Sequence, residues 1–164
     1  MVAQRIKHSG RKKDRHVLVA LDESEMAEKA VLYVGDFLGG VPGFQVTLLT
    51  IVPEPSEDYF NTYEEREAWI QHHRTAALKL LEKYREILIH SGFRKSKVHV
   101  RVDIKKSVSL ADCILDEQKA LGCCTVVVGR RGISKKEEFL YGSTSSKILH
   151  TGKNCAVWVI ESKA

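Results

Sequence analysis

No apolar run in the sequence approaches the roughly 20 residues that a helix needs to cross a bilayer, so no helical membrane span is predicted. The opening stretch, MVAQRIKHSGRKKDRH, has no apolar core behind its charges and does not read as a secretory signal. The expected location is the cytoplasm. The four cysteines, Cys113, Cys123, Cys124 and Cys155, show neither a CxxC pair nor zinc spacing. They read as buried free thiols acting as small hydrophobes, in keeping with a reducing compartment. Seven histidines are present, but HExxH is absent, and adjacent His72 and His73 would point about 100° apart on a helix. A histidine metal centre is therefore not expected. No GxSxG elbow occurs and no Ser/His/Asp trio is recognisable. GxxxxGK[ST] is missing and no GxGxxG follows the first strand, which excludes an ordinary P-loop NTPase and a typical dinucleotide enzyme.

What is there fits one soluble domain. The chain has 164 residues, 43% hydrophobic and 29% charged. Its net charge of +5 is concentrated at one end. Arg5, Lys7, Arg11, Lys12, Lys13 and Arg15 stand against Asp14 alone, so the remaining chain sums to zero. Residues 1–14 read as a basic, solvated arm, able to touch an anionic partner. Residues 15–164 read as a single domain without a basic face, and nucleic acid is not an expected partner.

Short apolar runs alternate with helical patterns. HVLVAL (16–21) is a buried strand. After it, Met26, Ala27, Ala30, Val31, Val34 and Phe37 recur at helical spacing, with Ser24 as N-cap and Gly39–Gly40 as stop. QVTLLTIV (45–52) is the second strand, followed by a loop with two prolines. From Thr62 to His90 a long helix is predicted, with Trp69, His73, Ala76, Leu80, Tyr84, Ile87 and Leu88 on one face. KVHVRVDI (97–104) alternates apolar and polar residues, the pattern of an edge strand. A helix over 109–122, capped by Ser109 and stopped by Gly122, precedes CCTVVVG (123–129). A short helix (142–152) and the strand CAVWVI (155–160) complete the chain. The alternation predicts an α/β fold: an open five-stranded parallel sheet with helices on both faces. Right-handed crossovers favour the order 3-2-1-4-5.

Ligands of open parallel sheets sit beyond the strand ends where the order reverses, here between the first and fourth strands. Asp22 leaves the first strand and Gly129 to Gly132 leave the fourth, so the two are expected neighbours. The stretch VVVGRRGISKKEEFLYGSTSS (126–146) carries the chemistry. Gly129 would turn the backbone sharply out of the strand, and Gly132 would allow close approach of a ligand. Gly142 and Ser143 open a helix, whose free N–H groups and dipole favour an anion. Ser143, Thr144 and Ser145 add hydroxyls, and Arg130, Arg131, Lys135 and Lys136 add positive charge. Together these suit a polyphosphate. Glu137 and Glu138 read as solvated loop carboxylates.

Gly129-Arg-Arg-Gly132, nine residues, then Gly142-Ser143 resembles the G-2x-G-9x-G-S/T signature of the ATP-binding universal stress proteins. HVLVALDESEMAEKA, VTLLTIVPEP and NCAVWVI are similar to that family's first strand and turn, second strand and last strand, and the resemblance spans residues 14–161. It implies the adenine nucleotide alpha hydrolase-like arrangement, with ATP, ADP or AMP at the reversal and Mg²⁺ carried by the nucleotide. By position, Ala20, Leu21 and Asp22 would line adenine and ribose, and Ile51 would pack near adenine. Gly129, Arg130 and Gly132 would wrap ribose and phosphates, and Gly142, Ser143 and Thr144 would donate to phosphate oxygens. The resemblance also implies a homodimer through the last strand, at Cys155, Val157, Trp158 and Val159. Lys105 or Lys106 stands where the family often has glycine. The implied function is a nucleotide-dependent stress-response module; a slow ATP-hydrolysing or phosphate-transferring enzyme and a ligand-free structural dimer are the alternatives.

Overall fold

The computed structural model describes residues 15–106, 109–130 and 143–161. In chain order they form β1 (Arg15–Ala20), α1 (Glu25–Leu38), β2 (Phe44–Pro53), α2 (Tyr63–His90), β3 (Val98–Lys105), α3 (Leu110–Leu121), β4 (Thr125–Gly129), α4 (Ser143–Thr151) and β5 (Ala156–Ile160). Short 3₁₀ turns at Glu57–Tyr59 and Lys95–Lys97 lead into α2 and β3. The five strands are all parallel in the order β3-β2-β1-β4-β5, as the sequence predicts.

The sheet is covered on both faces, and each face has its own apolar layer. On one, Val17, Val19, Val46 and Leu48 meet Ala30, Val31 and Val34 of α1 and Leu81 and Leu88 of α2. On the other, Leu18, Leu49, Val126 and Val128 meet Ala111, Ile114 and Leu115 of α3 and Ile148 of α4. Side chains alternate across a strand, so central strands buried on both sides read as continuous apolar runs. That is the pattern of HVLVA and TVVVG.

Local chemistry sets the helix ends. The Thr62 hydroxyl accepts the Glu65 N–H at 3.1 Å, and the Ser109 hydroxyl accepts the Asp112 N–H at 3.4 Å. Gly122 closes α3 at φ +63°, the left-handed cap expected of it. Two expectations are corrected. The buried seam of α2 is Ala77, Leu81, Tyr84 and Leu88, so the apolar face is turned from Ala76 and Leu80. In α1, Leu38 is buried while Phe37 is 61% exposed, lying on Trp158 of β5 instead of in the core.

The β3 edge carries charge inward. Glu117 of α3 is buried, and Arg101 Nε and Lys105 Nζ approach its carboxylate at 3.0 and 3.1 Å. Asp103 lies within 3.4 Å of Arg101 and 3.7 Å of Lys105. The hydrogen bond to Glu117 is the main cause that holds the Lys105 pKa above its ordinary 10.5. Lys105 thus stabilises the fold fully below pH 10.5, and that contribution is lost as pH rises through its raised folded value. Replacing Glu117 by Ala leaves Arg101 and Lys105 sharing the single carboxylate of Asp103, and urea denaturation should report a loss of about 1–3 kcal/mol. The same variant should flatten the fall in stability above pH 10.5.

Candidate functional site

β1 and β4 lie side by side at the reversal, with Ala20 in register with Val128. On the other flank β2 runs past the end of β1. Leu21 N–H donates to Leu49 O at 2.8 Å, and the Thr50 hydroxyl donates to Leu21 O at 3.1 Å. These bonds hold the chain until Asp22, which leaves the sheet exposed. Asp22 Oδ1 accepts the Ser24 N–H at 3.0 Å and also the Ser24 hydroxyl. Ser24 is the N-cap of α1 by position, but its hydroxyl fixes the Asp22 turn and makes no cap bond.

Ala20 and half-buried Ile51 contact the apolar layer beneath α3 and α4, and Leu21 is buried in the opposite layer. Gly129 ends β4 and does not have the left-handed backbone of a sharp glycine turn. Its lack of a side chain answers a different need: a Cβ there would stand 2.8 Å from Met26 Cβ and 3.1 Å from the Met26 carbonyl. The first turn of α1 therefore rides directly over the end of β4. Arg130 N–H donates to Ile160 O at 2.8 Å, and its guanidinium lies 3.2 Å from Glu161. Gly132 and Gly142, like Arg131, Lys135, Lys136, Glu137 and Glu138, lie outside the described residues.

α4 opens with exposed Ser143, half-buried Thr144 and buried Ser145. It is seated by Ile148 in the core and by Lys147, whose Nζ donates to Asp112 Oδ2 at 2.7 Å and Ser109 Oγ at 3.0 Å. That lysine, with Ser109, holds the Asp112 carboxyl below its usual range. Lys105 and Lys106, one or the other of which the resemblance sets at a glycine position, are each engaged by carboxylates: Lys105 by Glu117 and Asp103, Lys106 by Glu57 at 2.5 Å. Among the described residues no group of three His, Cys, Asp or Glu side chains could hold a metal ion. No described helix is long and apolar enough to cross a membrane.

Two features escape the sequence reading. A cavity of about 500 Å³, lined by Glu57, Phe60, Asn61, Thr62, Tyr63, Arg66 and Lys106, lies at the start of α2. Its residues come from the irregular β2–α2 connection, the first turn of α2 and the exit of β3, a junction that no periodicity reports. At the β5 edge of the sheet, Tyr33 and Phe37 stack at 5.8 Å and both meet Trp158 edge-on, at 6.0 and 5.6 Å. The four-residue spacing of Tyr33 and Phe37 was the available signal, since it puts both rings on one side of α1.

Residues 14–161 match the model of the universal stress protein family. The chain belongs to that family. Among solved structures, the protein MJ0577 superposes with a TM-score of 0.73 at 22% identity, over 93% of this chain and 99% of that one. A universal stress protein in complex with cAMP gives 0.68 at 16%, over 92% and 99%. The universal stress protein from Archaeoglobus fulgidus in complex with dAMP gives 0.61 at 17%, over 90% and 98%. At these identities the likeness is one of fold. No curated protein matches the chain. In this member of the family the Gly129–Met26 contact sets how close α1 comes to the reversal. Gly129→Val should cost about 1–3 kcal/mol by overpacking, measured by chemical denaturation. An unchanged midpoint would mean that α1 does not rest on β4.

Proposed function

We propose that the protein is a cytoplasmic stress-response module that binds an adenine nucleotide, ATP with its Mg²⁺, where β1 and β4 part. The observation that carries this reading is the pairing of β1 with β4 at the reversal of strand order, with Asp22 leaving one strand and Gly129–Arg130 the other. Asp22, whose Oδ1 accepts the Ser24 N–H, would accept from adenine or a ribose hydroxyl; a carboxylate there would repel phosphate. Ala20 and Ile51 offer an apolar floor on one side of the sheet. At the other end, the α4 N-terminus and the hydroxyls of Ser143 and Thr144 suit the phosphates. The cAMP and dAMP complexes of the two relatives support adenine as the base. Engagement of Lys105 and Lys106 by carboxylates speaks against a ligand-free protein whose pocket is blocked by lysine.

Calorimetry with Mg-ATP should give saturable binding, and mass spectrometry of the purified protein should find a co-purifying adenine nucleotide. Absence of heat and of thermal stabilisation with ATP, ADP, AMP and cAMP would defeat the proposal. Ser143→Asp puts a negative charge at the start of α4 and should weaken ATP at least about tenfold, roughly 1.4 kcal/mol. Asp22→Ala should weaken adenosine and ATP alike.

Among the described residues β5 is an edge strand, which favours a second element of the proposal, a homodimer through the last strand. β5 is apolar, and Tyr33 and Phe37 beside it are 44% and 61% exposed around Trp158. Two copies pairing these edges about a two-fold axis would cover both backbone edge and aromatic patch. Val157, Trp158 and Val159 lie within the strand, whereas Cys155 precedes it at Ala156. Light scattering should give a dimer for the native chain and a monomer for Trp158→Asp; a native monomer at high concentration would remove this element.

A further inference from the structure

Three of the four cysteines meet at the end of the sheet opposite the proposed nucleotide site. Cys123 is buried, Cys155 is half-buried and Cys124 is exposed, which corrects the expectation that all are buried apolar fillers. Cys113 stands apart, buried on α3. Cys124 extends the β4 ladder by one residue on both flanks: its N–H donates to His16 O at 2.9 Å, and its carbonyl accepts Ala156 N–H at 2.9 Å. Thr125 is in register with Ala156, so one position earlier Cys124 and Cys155 are lateral neighbours. Adjacent strands lie about 4.8 Å apart. A disulfide needs a Cα separation of about 4.4–6.8 Å, so a pair that keeps this register one step before the ladder stands at bonding range, in keeping with the electrostatic nearness of Cys124 to Cys155. Cys124 Sγ rests 3.4 Å from His16 O and 3.7 Å from the Thr125 hydroxyl, at the solvent-facing rim. Burial raises the Cys155 thiol pKa, and the nearness of Cys124 raises it further. Burial pushes Cys123 up to about 12, so it stays protonated at neutral pH.

We propose that Cys124 and Cys155 are a peroxide-oxidisable dithiol, with Cys124 as the attacking sulfur and Cys155 as the resolving one. In the first step the Cys124 thiolate attacks a hydroperoxide. An S–O bond forms, the O–O bond breaks, and the peroxide leaves as hydroxide or alkoxide, which takes up the proton shed by the thiol. Cys124 is then a sulfenic acid. In the second step Cys155 sulfur displaces that oxygen. The S–S bond forms, the S–O bond breaks, and the Cys155 proton leaves with the hydroxide as water. Two thiols are oxidised by two electrons and one peroxide is reduced. A thiol reductant restores the pair by exchange. The bond would tie the start of β5 to the start of β4, closing a covalent ring around α4. The inference does not rest on nucleotide binding.

The test treats the reduced full-length chain with hydrogen peroxide, then counts alkylatable thiols and maps disulfides by mass spectrometry. The expected result is a loss of two thiols per chain, reversible by dithiothreitol, and a single Cys124–Cys155 cross-link lighter by two hydrogens. Cys124 is exposed, so Cys124→Ser should fold normally and lose the cross-link. Cys155→Ser should leave Cys124 at the sulfenic acid, raising its labelling by dimedone at least about tenfold over the native chain. An unchanged thiol count, a bond to Cys123, or a bond between chains would each overturn the assignment.

Discussion

Val17 to Ala20 and Thr125 to Val128, distant in sequence, pair as neighbouring parallel strands at the centre of the sheet. Everything near the candidate site is positioned from that pairing. It sets the place where strand order reverses, so the turns after β1 and β4 open side by side instead of being covered by a crossover. It is also the costliest pairing to form, since the long intervening chain must close before any ladder bond is gained. The two apolar layers repay that cost: Val17 and Val19 bury on one face and Leu18 on the other, each essentially without solvent.

Helices are then fitted to this frame by contacts that are small in number and specific in kind. Gly129 lets the first turn of α1 close over β4. Ser24 spends its hydroxyl on Asp22, and the turn after β1 gains definition that α1 gives up at its cap. Arg130 leans to Glu161, tying the exit of β4 to the exit of β5. The strand ends are thus bound to one another across β2, β1, β4 and β5, and a ligand at the reversal would meet a prearranged rim.

The fold was largely legible in the sequence, because it rests on rules that act locally or with short period. Continuous apolar runs gave the central strands, alternation gave the β3 edge, and Ser109 and Gly122 bounded α3 as read. The errors share one physical origin: periodicity reports which side of an element is apolar, not what lies against it. Helix α2 buries nothing before Ala77, so Trp69 and Ala76 extend its apolar face beyond the core, with Trp69 resting on Phe60 and His73. Phe37 keeps helical spacing yet turns out to Trp158, which waits more than a hundred residues later in the chain. For the candidate site, the sequence located Asp22, Gly129, Arg130 and Ser143 at the strand and helix ends where they stand. It misread why Gly129 is glycine, because a close approach of two backbones leaves no mark in a single sequence. The partner of Arg130 was equally hidden, being a matter of which strand ends lie adjacent.

Lys147 matters more to the seating of α4 than any ion pair does to α1. Helix α1 also has an exposed ion pair, Glu28 with Lys83 at 3.2 Å, but it buries seven residues, whereas α4 buries only Ser145 and Ile148. The outer side of α4 is held to α3 by an ion pair whose partners are 42% and 54% exposed. Such a pair is screened as ionic strength rises, with the Debye length falling from about 10 Å at 0.1 M to about 3 Å at 1 M. Ile148 stays in the core as a pivot. One wall of the reversal therefore rests mainly on its buried seam, while the other leans on a clasp that loosens in brine.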